Sequence, residues 1–432
     1  MRRLTVALIA AALLAAMLTF TGGAASAQSG GASPGSQPPR PAPAGAHWEY
    51  RTAGPDAVAP EAGAPEVVGG TPATPGTFDY QVALVSPSVP GLNIRGQFCG
   101  GSLIAPDAVL TAAHCVVAGI WVLVGPGDQI IDVEVDLLRP SDVDVLAGDV
   151  NLGRDSAAER LDVRQIRLHP GFTVDLDSWF DPFVPDVAVL QLATPSTTGT
   201  PVALATPAQA ALYTAGTTAT VSGWGNTGNP LAAAPTVLQH ADLPISSDAD
   251  CTIAYGTDVD IARQLCAGDL VDGLPTPCFG DSGGPLVVDD AGSPLQVGVV
   301  LAGDGCPAPE RPAVFARVAA EAGFVGRYLD PDEVPDRPRN VAITQRGSRV
   351  RVSWRPPEFD GGAKITGYSV TITGANVGLS MLGGGGGARH FDTTVPPLRP
   401  GVRYTVKVKA TNAMGTGAAR VRTFTVRPVA LP

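Results

Sequence analysis

The chain is short of lysine. Lys364, Lys407 and Lys409 are the only three among 432 residues, and its positive charge comes almost wholly from arginine. That bias, with abundant Ala and Gly, is the mark of a GC-rich genome, so a bacterial source is expected. After about residue 20 no stretch is apolar enough to span a bilayer. The six cysteines form no Cys-x-x-Cys pair, which speaks against a thiolate metal site. The C-terminal region has no Arg-Gly-Asp tripeptide. No cofactor, metal or specific nucleic-acid partner is expected.

Hydrophobic residues make up 44% of the chain, ample for real cores, and 52 Gly with 41 Pro indicate turn-rich β structure and linkers. At 432 residues, two domains plus processed ends are expected. Arg2 and Arg3, an apolar run from about Leu4 to Phe20, and Ala25-Ser26-Ala27 read as a cleavable secretory signal over residues 1–27. The alternative is a membrane anchor, but small residues follow the run where a basic stop-transfer cluster would stand. Export places the cysteines where disulfides persist, in a secreted, extracellular protein.

Residues 28–66 are rich in Pro, Gly, Ala and Ser and read as a disordered pro-region. Residues 67–330 carry many short β-type runs, such as Gln81–Val85, Val187–Leu190 and Val297–Val300, with a helical candidate at Glu321–Leu329. A linker over 331–337 precedes a second β unit, 338–428, whose runs at Val350–Trp354, Ile365–Val370 and Tyr404–Ala410 alternate in character. Gly383–Gly387 reads as a flexible loop. Charge divides between the units: residues 67–335 hold 32 Asp and Glu against 10 Arg, a net of −22, while 336–432 hold 15 Lys and Arg against 4 acids, a net of +11.

Three motifs carry chemistry: Thr111-Ala112-Ala113-His114-Cys115, Pro185-Asp186-Val187-Ala188-Val189-Leu190, and Cys278-Phe279-Gly280-Asp281-Ser282-Gly283-Gly284-Pro285. A serine hydroxyl is a poor nucleophile at neutral pH and needs a base such as His114 to take its proton. A carboxylate then holds the imidazole in the working tautomer. Asp175, Asp177 and Asp181 lie near Asp186, but Asp186 alone immediately precedes an uninterrupted apolar strand.

In this order the motifs resemble those of chymotrypsin/trypsin-like serine proteases, over roughly Val67 to Leu329. The resemblance implies an all-β fold, a double six-stranded β-barrel, and a His114–Asp186–Ser282 triad acting through an acyl-enzyme. It implies an oxyanion hole from the N–H groups of Gly280 and Ser282. Six cysteines allow 15 pairings; the resemblance selects Cys99–Cys115, Cys251–Cys266 and Cys278–Cys306. Val67-Val68-Gly69-Gly70 resembles a zymogen N-terminus, freed by another protease after Glu66, whose amino group would pair with Asp281. In the substrate pocket Thr276 falls where trypsin-like enzymes place Asp, and Gly303 and Ala313 match wall positions. A neutral floor disfavours Arg and Lys, so cleavage after apolar or aromatic residues is expected.

Two departures stand out. Leu301-Ala302-Gly303 replaces Ser-Trp-Gly, and Leu301 brings no hydroxyl to Asp186. A catalytically impaired protease-fold binding protein is therefore the competing reading. The Cys115–Val145 connection is long, and alternation at Ile130–Val135 suggests an extra hairpin.

Residues 338–428 resemble a fibronectin type III β-sandwich, with Trp354 in the core strand and Leu398–Gly401 leading to a tyrosine corner at Tyr404. Its net charge suits anionic cell-surface polymers. Docking on its own acidic protease domain, or simple spacing, is the alternative.

Overall fold

The computed structural model describes residues 38, 42–43, 45–52, 67–89, 96–153, 156–172, 185–225, 235–302, 306, 308–329, 334–357, 359–361, 363–374, 377–385, 389–394 and 398–428. The expected signal segment, Glu66, Gly303, the rival carboxylates Asp175, Asp177 and Asp181, and residues 331–333 of the linker lie outside them.

The first half is strand after strand: β1 (His47–Thr52), β2 (Thr71–Pro72), β3 (Gln81–Val85), β4 (Gln97–Ala105), β5 (Ala108–Thr111), β6 (Val117–Val124), β7 (Ile130–Leu137), β8 (Asp144–Ala147), β9 (Glu159–Leu168) and β10 (Ala188–Leu192). Six of them close into a barrel in the order β10-β5-β4-β3-β8-β9. β3 and β10 are buried on both faces, which is why they read as unbroken apolar runs rather than as alternation.

β1, β6 and β7 form a separate three-stranded sheet. β6 and β7 supply the extra strands expected in the Cys115–Val145 connection. β1 departs from the expectation of a disordered segment over 28–66. Trp48 and Tyr50 alternate with exposed His47 and Glu49, and Tyr50 packs on Trp121 at 4.7 Å between ring centroids. Those rings bring the apolar surface that the surrounding Pro, Gly and Ala lack.

The next sheet comprises β11 (Ala203–Leu204), β12 (Thr218–Gly223), β13 (Gln239–Pro244), β14 (Gln264–Ala267), β15 (Pro285–Asp290), β16 (Ser293–Ala302) and β17 (Ala313–Arg317). Its order is β14-β17-β16-β15-β12-β13-β2, with β11 beside β16. The chain leaving β13 returns to β14: Ser246 N–H donates to the Cys266 carbonyl at 2.9 Å, and Gly268 N–H to Pro244 at 3.0 Å. Six strands thus curl back on themselves as a second barrel. Two helices, α1 (Asp248–Tyr255) and α2 (Val318–Val325), complete this part. α2 starts earlier than expected, because β17 runs straight into it, and its last turn tightens into a 3₁₀ segment over Gly326–Tyr328.

The C-terminal unit pairs one sheet of β18 (Arg339–Arg346), β19 (Arg349–Arg355) and β22 (His390–Thr394) with another of β20 (Gly367–Gly374), β21 (Val377–Gly385), β23 (Arg403–Asn412), β24 (Gly415–Thr416) and β25 (Arg420–Thr425). Trp354, Tyr368 and Tyr404 are buried in its core. The Tyr404 hydroxyl accepts the Arg399 N–H at 2.9 Å, the bond that defines a tyrosine corner. Part of the glycine run read as a loop is strand: Gly384 and Gly385 pair with Tyr368 and Gly367. They end an edge strand, where backbone pairing needs no side chain.

Candidate active site

Thr111 ends β5, and the chain turns through buried Ala112 and Ala113 into a single 3₁₀ turn over His114–Val116. The Cys99–Cys115 disulfide ties that turn to β4. Asp186, 2% exposed, stands just before β10, which pairs with β5 in the register Ala188↔Thr111. Strand pairing therefore delivers the carboxylate to the histidine. Asp186 Oδ1 accepts the His114 backbone N–H at 2.8 Å, and Oδ2 lies 2.6 Å from Nδ1. An ionised carboxylate only accepts, so Nδ1 carries the proton and Nε2 keeps the lone pair. Burial opposes charging of the imidazole, but the Asp186 charge and hydrogen bond outweigh it and hold His114 above the usual histidine range.

The Ser282 turn meets the histidine turn at Gly100 in β4. Gly100 N–H donates to the Ser282 carbonyl at 2.8 Å, while the Thr111 hydroxyl donates to the Gly100 carbonyl at 2.8 Å. Gly283 has φ of 80°, and a Cβ there would stand 2.6 Å from the Gly100 oxygen and collide with Thr111 Oγ1. The motif's glycine is thus demanded by the approach of the two turns.

Asp281 is fully buried. Its Oδ1 accepts Gly225 N–H at 2.7 Å and its Oδ2 accepts Cys278 N–H at 2.8 Å. Burial still raises its carboxyl to about 7, against the pull of those two bonds. A Cβ on Gly223 or Gly225 would run into this carboxylate. Gly223-Trp224-Gly225 is therefore the sequence signal for its cradle.

Val67 is fully buried, and Val68 forms a two-way backbone bridge with Thr276 at 3.0 and 3.1 Å. Thr276 is 7% and Ala313 2% exposed; Ala313 pairs with Ala267 at the start of β17. The second and third disulfides join Cys251 to Cys266 and Cys278 to Cys306. Leu301 is buried in the core. Gly280 has φ of 95°, and its carbonyl accepts Gln97 Nε2 at 2.7 Å. Gln97, far away in sequence, carried no signal of this role. Cys99, His114 and Cys115 group closely enough to suggest a metal site among the described residues, but the two sulfurs are bonded to each other.

With this geometry in place, comparison with known proteins is decisive. The Trypsin family model matches residues 67–324. The chain belongs to the trypsin family. A fibronectin type III model matches residues 336–426 of this trypsin-family chain. "Trypsin" of Saccharopolyspora erythraea is 36% identical, over 59% of this chain and 94% of the relative. "Trypsin-1" of Astacus astacus is 34% identical, over 60% of this chain and 98% of the relative. "Tryptase" of Mus musculus is 34% identical, over 62% and 89%. Membership makes the chain a serine protease and protein its substrate class. Among the described residues no helix is long and apolar enough to cross a membrane.

Proposed function

We propose that the chain is a secreted serine endopeptidase made as a zymogen, with His114, Asp186 and Ser282 as its triad. The observation that carries the reading is the double hydrogen bond from His114 to a buried Asp186. Ser282 Oγ attacks the substrate carbonyl as its proton passes to His114 Nε2, and the oxyanion is met by the N–H groups of Gly280 and Ser282. The C–N bond breaks, His114 returns the proton to the leaving amine, and water releases the acyl group by the same route.

Cutting after Glu66 would free an ammonium on Val67, and Asp281, buried and raised to about 7, is the anion that would welcome it. Neutral Thr276 supports cleavage after apolar or aromatic residues. The basic C-terminal domain supports retention on an anionic surface polymer.

An active-site serine phosphonate applied to protein cut at Val67 tests the reading. Labelling that disappears in Ser282→Ala is expected. Absence of Ser282-dependent labelling would remove it.

A further inference from the structure

Among the described residues the two domains meet in a compact contact whose charges run against their bulk charges. Arg167, in β9 of the acidic protease domain, holds Asp360 of the basic fibronectin-type domain at 2.5 Å. The two side chains are 12% and 7% exposed. The Arg167 guanidinium also lies over the Tyr328 ring, 5.6 Å from its centroid. Phe359, 3% exposed, packs edge-on against Tyr328 at 5.4 Å and joins the hydrophobic core of the protease domain. Aromatic contact continues inward from Tyr328 to Phe324 at 5.2 Å and from Phe324 to His169 at 4.8 Å.

The Phe359–Asp360 step is held from its own side as well. The Asp360 carbonyl accepts Asn412 Nδ2 at 2.7 Å, and the Phe359 carbonyl accepts Asp336 N–H at 2.9 Å. Asn412 is itself buried at the end of β23. A loop so fixed behaves as part of the sandwich.

What it presses on is the strand beside the catalytic carboxylate. Arg167 and Leu168 pair with Val189 and Ala188 in β10, and His169 N–H donates to the Val187 carbonyl at 3.1 Å. Val187 directly follows Asp186. We propose that the fibronectin-type domain is a fixed support of the catalytic unit. Its Phe359–Asp360 step clamps the end of β9, and Arg167 and Asp360 are positioning residues for Asp186. The proposal rests on the triad reading above. It gives the appended domain a role inside catalysis, separate from any polymer it binds.

The test uses the full chain cut at Val67. Asp360→Ala should lower kcat for a small ester about tenfold with KM within twofold, because displacing a catalytic group by a fraction of an ångström costs rate rather than binding. It should also shift the downfield proton resonance of His114 Nδ1. Asp360→Asn, which keeps the loop's shape, should do both to a lesser degree. The exchanged pair Arg167→Asp with Asp360→Arg should recover most of kcat. Asp392→Ala, which breaks the exposed Arg351 pair on the outer face of β19, should change nothing. Unaltered kcat and an unaltered His114 resonance in folded Asp360→Ala would overturn the proposal. If the parent itself takes no phosphonate on Ser282, the triad reading has failed. The resonance in parent and variant then decides the clamp independently.

Discussion

Two histidine–carboxylate pairs flank the same stretch of backbone and titrate in opposite directions. His114 faces Asp186 at 2.6 Å, and His169 faces Glu321 at 3.2 Å across the end of β9. His114 is held above the usual range, whereas His169 is pushed down to about 4 by burial and by the nearby Arg263 cation. The carboxylates explain the contrast. Both oxygens of Asp186 are turned to His114, through ring and backbone. Glu321 has its Oε1 on Arg263 at 2.9 Å, so its charge is already answered. The far ring nitrogen matters too. His169 Nδ1 accepts the Gly171 N–H at 3.0 Å, and a second proton there would set donor against donor. A histidine beside a carboxylate is thus favoured in its charged form in one place and held as a fixed neutral donor in the other.

Neutralising the two carboxylates should separate the pairs most widely. Asp186→Asn should lower kcat about 10⁴-fold, since the amide favours the wrong tautomer. Glu321→Gln should leave kcat/KM within about threefold, read on the same peptide substrate. Comparable losses from both would erase the distinction.

Asp281 sharpens the contrast as a buried carboxylate that, among the described residues, is met by backbone N–H groups and by neither histidine nor arginine. Its carboxyl, raised from 3.8 to about 7, keeps a proton in the folded uncut chain that the unfolded chain has released. Between about pH 4 and 7 the folded state therefore binds more protons, and stability falls as pH rises. Three units correspond to about 4 kcal/mol. Urea unfolding of Ser282→Ala protein, disulfides intact, should show that decline before cutting after Glu66. A freed Val67 ammonium should draw the carboxyl down and flatten it.

These assignments were unequally legible in the sequence. His114, Asp186 and Ser282 stand in local motifs, because each must sit on a turn or strand end of fixed shape, and short-range sequence encodes such shapes. The barrel strands were legible for the same reason, as apolar runs between turn residues. Gln97 beneath Gly280, Gly225 against Asp281 and Arg167 on Asp360 are meetings of distant segments with no local pattern. Bulk charge pointed the wrong way for the last: an acidic domain offers the arginine, and a basic one the aspartate. Net charge governs approach at long range, but a desolvated contact is decided by the pair within it.

Acid should act on the two histidines with opposite sign. His169 titrates near 4 in the fold against 6.5 in the unfolded chain, so the unfolded state binds more protons between those values. Stability from this group is complete above about pH 6.5 and falls as pH drops toward 4. The loss is up to about 2 kcal/mol after allowance for its partly solvated edge. His169→Gln should remove it from unfolding curves. For His114 the sign reverses: its raised value adds stability at low pH that disappears as pH rises through it. The proposed triad needs the neutral ring, so the acid limb of kcat/KM should lie above 6.5 and move down in Asp186→Asn.

The smallest change asks which of two causes keeps His169 neutral. Arg263→Met leaves Glu321 facing the ring alone, as Asp186 faces His114. Removing a nearby cation favours the charged imidazole, so the proton resonances of His169 should titrate at higher pH than in the parent. The Gly171 N–H still points at Nδ1, and so His169 should stay below His114 in the same spectrum. A rise to equality would make Arg263 the whole of the difference. No movement would assign it to burial and the Gly171 bond. Either extreme would replace the account in which burial and the cation together keep the ring uncharged and the backbone sets the tautomer.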